Sequence, residues 1–198
     1  MRGTRTSPLS FDPVVVGNRE TDAWAAYYRH EWRRFMVASV GMVAAGFGMS
    51  PDRTLAGAWY VLRANQMWSP FPDNQPDAAR AYMRRFYELV LRTGGGPQFD
   101  PARAAWLEVE WWRVHRANQH DDSVTEEQLE SALIDLYSYV YGADREAMRP
   151  AACKRVEAML LSDRWVQAGR RLDDPLLAEE RRALVASYAA LRVAVERG

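Results

Sequence analysis

Glu108-Val109-Glu110-Trp111-Trp112-Arg113-Val114-His115-Arg116-Ala117-Asn118-Gln119-His120-Asp121-Asp122 is the stretch from which the rest of the chain is read. It holds two of the three histidines and an adjacent tryptophan pair. It also contains Arg116-Ala117-Asn118-Gln119, a tetrapeptide already used upstream as Arg63-Ala64-Asn65-Gln66. Glu108, Trp112, His115 and Gln119 return at helical steps, and at about 100° per residue they fall within a sector of about 60°. Asp100-Pro101 supplies a cap and a first-turn proline, so a helix is expected over residues 100–119.

Outward from this helix the same punctuation recurs. Ser50-Pro51-Asp52 starts a helix to about residue 66, with Ser50 expected to accept from the free amides. Three prolines, Pro70, Pro72 and Pro76, make residues 67–76 a loop anchored by Trp68 and Phe71. A helix over 77–93 is stopped by Gly94-Gly95-Gly96-Pro97. Thr125-Glu126-Glu127-Gln128 is a capping box opening a helix that Gly142 closes. Residues 144–149 make a short turn, Pro150 starts a helix to Gly169, and Asp173-Asp174-Pro175 opens the last. Near the N-terminus, residues 1–20 read as an irregular leader. One helix is then expected from Asp22, through Trp24, Tyr27, Trp32, Phe35 and Val43, to Gly46 and Gly48. No stretch alternates apolar and polar residues over a strand's length. The expectation is an all-α chain: a compact single-domain bundle of about seven helices over residues 21–198.

The shared tetrapeptide sets an offset of 53 residues, laying Trp59 to Gln66 over Trp112 to Gln119. Two tandem, pseudo-equivalent helical hairpins at 50–96 and 100–142 are one explanation; chance similarity over eight positions is the other. At this offset Leu55 and Leu62 stand where Glu108 and His115 stand in the second copy.

Composition excludes several function classes. Twenty-six basic residues balance 26 acidic ones, and the basic pairs are interleaved with acids, so nucleic acid is not an expected partner. Residues 35–49 are uncharged but span only about 22 Å as a helix, too short for a bilayer, and no membrane association is expected. No secretory signal is read at the N-terminus. The single cysteine, Cys153, excludes an intrachain disulfide and fits a reducing, cytoplasmic compartment. No nucleotide-binding loop is present, and neither a cofactor nor a metal site is expected. Asp121 and Asp122 with Glu126 read as a solvated turn.

Two functional readings follow. In the first, the protein is non-catalytic, acts as a homodimer, and binds a small apolar ligand or a protein partner. This reading is motivated by an aromatic content of 12% that a bundle of this length need not carry. Trp111, Trp112, Gln119, Trp68, Phe71, His30 and Glu31 are its candidate contacts. In the second, the protein is an enzyme in which Glu108 and His115 project into one partly buried pocket and perform acid–base chemistry or hold a metal.

Overall fold

Among the described residues five of eight helices begin on a proline, where the ring's fixed φ suits the first turn and no amide hydrogen is lost. A computed structural model gives the fold and describes residues 8–121 and 123–197. The helices are α1 (Pro13–Tyr28), α2 (Trp32–Phe47), α3 (Pro51–Trp68), α4 (Pro76–Thr93), α5 (Pro101–Asn118), α6 (Glu126–Tyr141), α7 (Arg145–Gln167) and α8 (Pro175–Arg197). The chain is all-α, as expected from its periodicity. Among the described residues no helix is long and apolar enough to cross a membrane.

Caps account for most boundaries. The Asp12 carboxylate accepts from the Val14 amide at 2.8 Å, and Asp100 accepts from the Ala102 amide at 2.9 Å. Thr125 and Gln128 form the reciprocal capping box, at 2.9 and 3.3 Å. Ser50 departs from expectation. Its side chain makes no capping bond, and its hydroxyl instead engages Asp52, lowering that carboxyl's pKa.

Three boundaries are corrected. Residues 13–20, expected to be irregular, form the first half of α1; residues 1–7 of that leader, and Asp122 of the acidic turn, lie outside the described residues. The single long helix expected from Asp22 is broken at residues 29–31. There His30 adopts a left-handed φ of 57°, and the Glu31 amide reaches back to the Ala26 carbonyl at 2.8 Å. No glycine or proline marks the break. It is held by a distant segment, for Arg29 donates to the Arg170 carbonyl and Arg170 donates to the Tyr28 carbonyl. Finally, Pro150 does not start a helix but lies inside α7, which Asp144 caps by accepting from the Glu146 amide at 2.9 Å.

Each helix packs chiefly on its neighbours in sequence, and α8 returns to pack on α1. The result is a closed ring of eight helices running alternately up and down. The C-terminal ends of α1, α3, α5 and α7 gather at one mouth, which we call the rim. Those of α2, α4 and α6 gather at the other. A ring this wide cannot be filled by alanine and valine. Large side chains bridge it instead: Trp24 of α1 meets Trp111 of α5 with ring centroids 6.4 Å apart, and Trp68 of α3 meets Trp112 at 6.0 Å. This is where the aromatic excess goes. At the mouth opposite the rim, the segment before α1 buries Phe11 edge-on against Tyr188 of α8, while Pro8 reaches the loop after α4 beside Gly96.

The hairpins α3–α4 and α5–α6 sit side by side in the ring, but in a different register from that of the tetrapeptides. Helices α3 and α5 each have 18 residues, and their prolines align at an offset of 50. Their buried positions follow that offset: Gly57 over Leu107, Val61 over Trp111, Leu62 over Trp112 and Asn65 over His115. Leu55, matched to Glu108 at the offset of 53, lies 58% exposed on the outer surface.

Candidate functional site

The centre of the ring holds a cavity of about 160 Å³. Its wall is mostly apolar, with Phe35, Phe86, Val61 and Leu133 among its residues, and every helix contributes to it. Two charged places interrupt this wall. The first is the buried pair of Glu20 and Arg155, in which Arg155 Nη1 donates to Glu20 Oε2 at 2.7 Å and Nη2 donates to Oε1. Trp24 Nε1 donates to Oε1 at 3.1 Å, and the Tyr188 hydroxyl donates to Oε2. A buried ion pair is tolerated when the remaining lone pairs are met in this way.

The second is Glu108. It accepts from the Tyr87 hydroxyl at 2.6 Å on Oε2 and from Trp111 Nε1 at 3.1 Å on Oε1. Glu108 is half-buried and is one of the side chains that line the cavity. Burial pushes its pKa up, while Tyr87, Arg155 and Trp111 pull it back. Burial likewise pushes the Tyr137 hydroxyl to about 12 and that of Tyr141 higher still, so both stay protonated at the cavity wall.

His115 lies elsewhere. Its Nε2 stands 2.9 Å from Asp163 Oδ2, and Gln119 donates to Asp163 Oδ1 at 2.6 Å. The expectation that Glu108 and His115 share one pocket is therefore corrected. Seven residues are two turns, about 10 Å along the axis, and Trp111 stands between the two groups. Its indole N–H serves Glu108 while its ring lies against the imidazole at 6.5 Å. His115 opens instead on a narrow cleft of about 20 Å³.

That cleft joins two larger spaces. It shares Trp24, Asn65, Trp111 and Trp112 with the cavity, and Tyr27, Tyr28, Arg116 and Gln119 with an open groove of about 780 Å³ at the rim. The groove is built from helix C-termini, with Asp163, Arg164, His30 and His120 in its walls. Indole rings of Trp24, Trp68, Trp111 and Trp112 line the cleft that lies between the rim groove and the cavity.

A third polar place lies off-centre, in a space of about 10 Å³ between α1, α5, α7 and α8. Glu180 is 1% exposed there, and neither of its oxygens has a hydrogen-bond partner among the described residues. Burial pushes its pKa up to about 8; Ser162 is close enough to oppose the shift but makes no hydrogen bond of normal geometry.

Of the residues singled out from sequence, Glu108, Trp111 and Trp112 line the cavity, and Trp68, His115 and Gln119 line the cleft. His30 reaches the groove while stacked on Trp32 at 5.8 Å. Glu31 is taken up by Arg29 and Arg34 at the α1–α2 turn. Phe71 is 54% exposed, stacked on His120 at 4.6 Å. Sequence reasoning missed Glu20, Arg155, Asp163 and Glu180. Two of these had a signal: Arg155 stands four residues from both Ala151 and Met159, and Glu180 lies between Leu177 and Leu184 on one stripe. Glu20 was lost because it fell in the supposed leader.

Among the described residues no group of three or more His, Cys, Asp or Glu side chains is placed to hold a metal ion. The chain matches no family model, no curated protein and no solved structure.

Proposed function

We propose that the protein binds a small, largely apolar molecule inside the helical ring. The observation that carries this reading is the central cavity. Protein interiors keep few voids larger than a water molecule, and an apolar void of about 150 Å³ is known to take up benzene. At about 24 cal/mol per Å³, an unfilled space of 160 Å³ withholds about 4 kcal/mol of stability. A ring that has large aromatic side chains on every side and still leaves this space open is suited to receive a ligand. The cleft lined by Trp68, Trp112, Asn65 and Arg116 supports a route to it from the rim.

Toluene and benzene are suitable probes, because Trp24, Trp111 and Trp112 line the cavity and report on its contents by fluorescence. Saturable quenching is expected. A ligand at about ten times its Kd stabilises by about 1.4 kcal/mol, which for a chain of this size raises Tm by about 3–6 °C. Leu133→Trp, with Val61→Trp as an independent filler, should abolish both effects. If neither probe gives saturable quenching or a Tm shift with the unmodified protein, the reading fails.

A further inference from the structure

The charged groups around the cavity are unequally satisfied, and the inequality specifies the ligand. Arg155 spends both terminal nitrogens on Glu20. Its Nε is enclosed without accessible surface, and its charge is matched by the Glu20 carboxylate. Glu20 accepts four hydrogen bonds, two on each oxygen, which uses all the lone-pair sites of a carboxylate. Glu108 accepts only two, one on each oxygen. Two acceptor sites remain on a carboxylate that lines the cavity.

The rest of the wall selects for the same ligand charge. Trp24, Trp112, Tyr137 and Tyr141 line the same cavity as Glu108, and the faces of such rings attract cations, as Trp111 already does with the Arg155 guanidinium 5.6 Å from its ring centroid. An anion would meet Glu108 with Arg155 already engaged. A wholly apolar molecule would leave Glu108's free acceptor sites without donors, which is costly in a buried place. We infer that the ligand is a small primary amine with an apolar body, held as its ammonium ion with Glu108 as counter-ion. This rests on the reading that the ring holds a ligand, and narrows its chemistry. The cavity's size, close to the roughly 150 Å³ that accepts benzene, limits the body to one ring, or an alkyl chain of similar bulk, plus a short arm.

Four probes of nearly equal size separate the contributions: toluene, benzyl alcohol, benzylamine and benzoate, each titrated by calorimetry into the full chain at pH 7. Benzylamine is expected to bind at least tenfold more tightly than toluene, and benzoate at least tenfold more weakly than benzyl alcohol. In Glu108→Gln, benzylamine should lose at least tenfold in affinity while toluene changes by less than twofold. Tyr87→Phe provides a second variant, since it removes the donor that most opposes protonation of Glu108 and should weaken benzylamine severalfold at pH 7 while toluene changes by less than twofold. Toluene binding with no preference for benzylamine, or a preference that survives in Glu108→Gln, overturns the amine inference and leaves the cavity reading intact. Failure of all four probes overturns both.

Discussion

Glu20 and Glu180 are both carboxylates buried in this ring, at 5% and 1% exposure, and the fold treats them in opposite ways. Glu20, at the centre, is met by a guanidinium, a phenol and an indole drawn from α7, α8 and its own helix. Glu180, off-centre on α8, has no hydrogen-bond partner on either oxygen among the described residues, and its pKa rises to about 8. Similar burial thus gives a fully compensated charge in one place and a neutral acid at pH 7 in the other. What decides is the supply of donors, because the penalty for burying a charge is offset only by groups that replace its water. The Glu20 carboxylate is polar and satisfied; the Glu180 carboxylate is polar and unsatisfied.

The largest expected effect comes from breaking the satisfied side. Arg155→Met leaves Glu20 buried without its counter-ion, and a loss of about 3–5 kcal/mol is expected, measured as a fall in the urea midpoint. The double variant Glu20→Gln with Arg155→Met should recover most of that loss, because the stranded charge is gone. A single-variant loss below about 1 kcal/mol would mean that the pair does not organise the centre.

An effect of comparable size, but one that depends on pH, is expected on the unsatisfied side. Glu180 titrates near 8 when folded and near its ordinary 4.5 when unfolded. Between those values the folded chain holds the extra proton, so this group makes stability fall as pH rises, by roughly 1.4 kcal/mol per unit, levelling above pH 8. Glu108, also raised by burial, contributes in the same direction. Glu180→Gln should flatten much of that slope, changing stability little at pH 4.5 and raising it at pH 8.5. Urea unfolding at several pH values decides the matter. Parallel curves for the two proteins would show that Glu180 is ionised and partnered after all.

The helices themselves were legible wherever a local device marks them. Asp100-Pro101, Thr125 with Gln128, and Gly142 act within a few residues of where they stand, so the sequence displays them. The break at His30 was not legible, because its cause is Arg170, some 140 residues away in the chain. The same limit applied to the site. Glu108 and His115 fall on one helical sector, and phase alone could not show that Trp111 partitions them between a cavity and a cleft. The tetrapeptide repeat misled for a related reason. A shift of three residues turns a helix by about 300°, about 60° short of a full turn, so an offset of 53 pairs the outward-facing Leu55 with the inward-facing Glu108. Ring closure, which brings α8 back to α1, leaves no mark on any single helix.

An apolar guest in the middle of the ring would be visible in the crystal. Diffraction from a crystal pressurised with xenon tests this directly, because xenon enters apolar cavities of this size and is located by its own scattering. The expected result is a xenon site inside the ring, bounded by Trp111, Tyr137 and Leu133 and lost in Leu133→Trp. A centre collapsed around Trp111, or one that excludes xenon while surface sites fill, would contradict it.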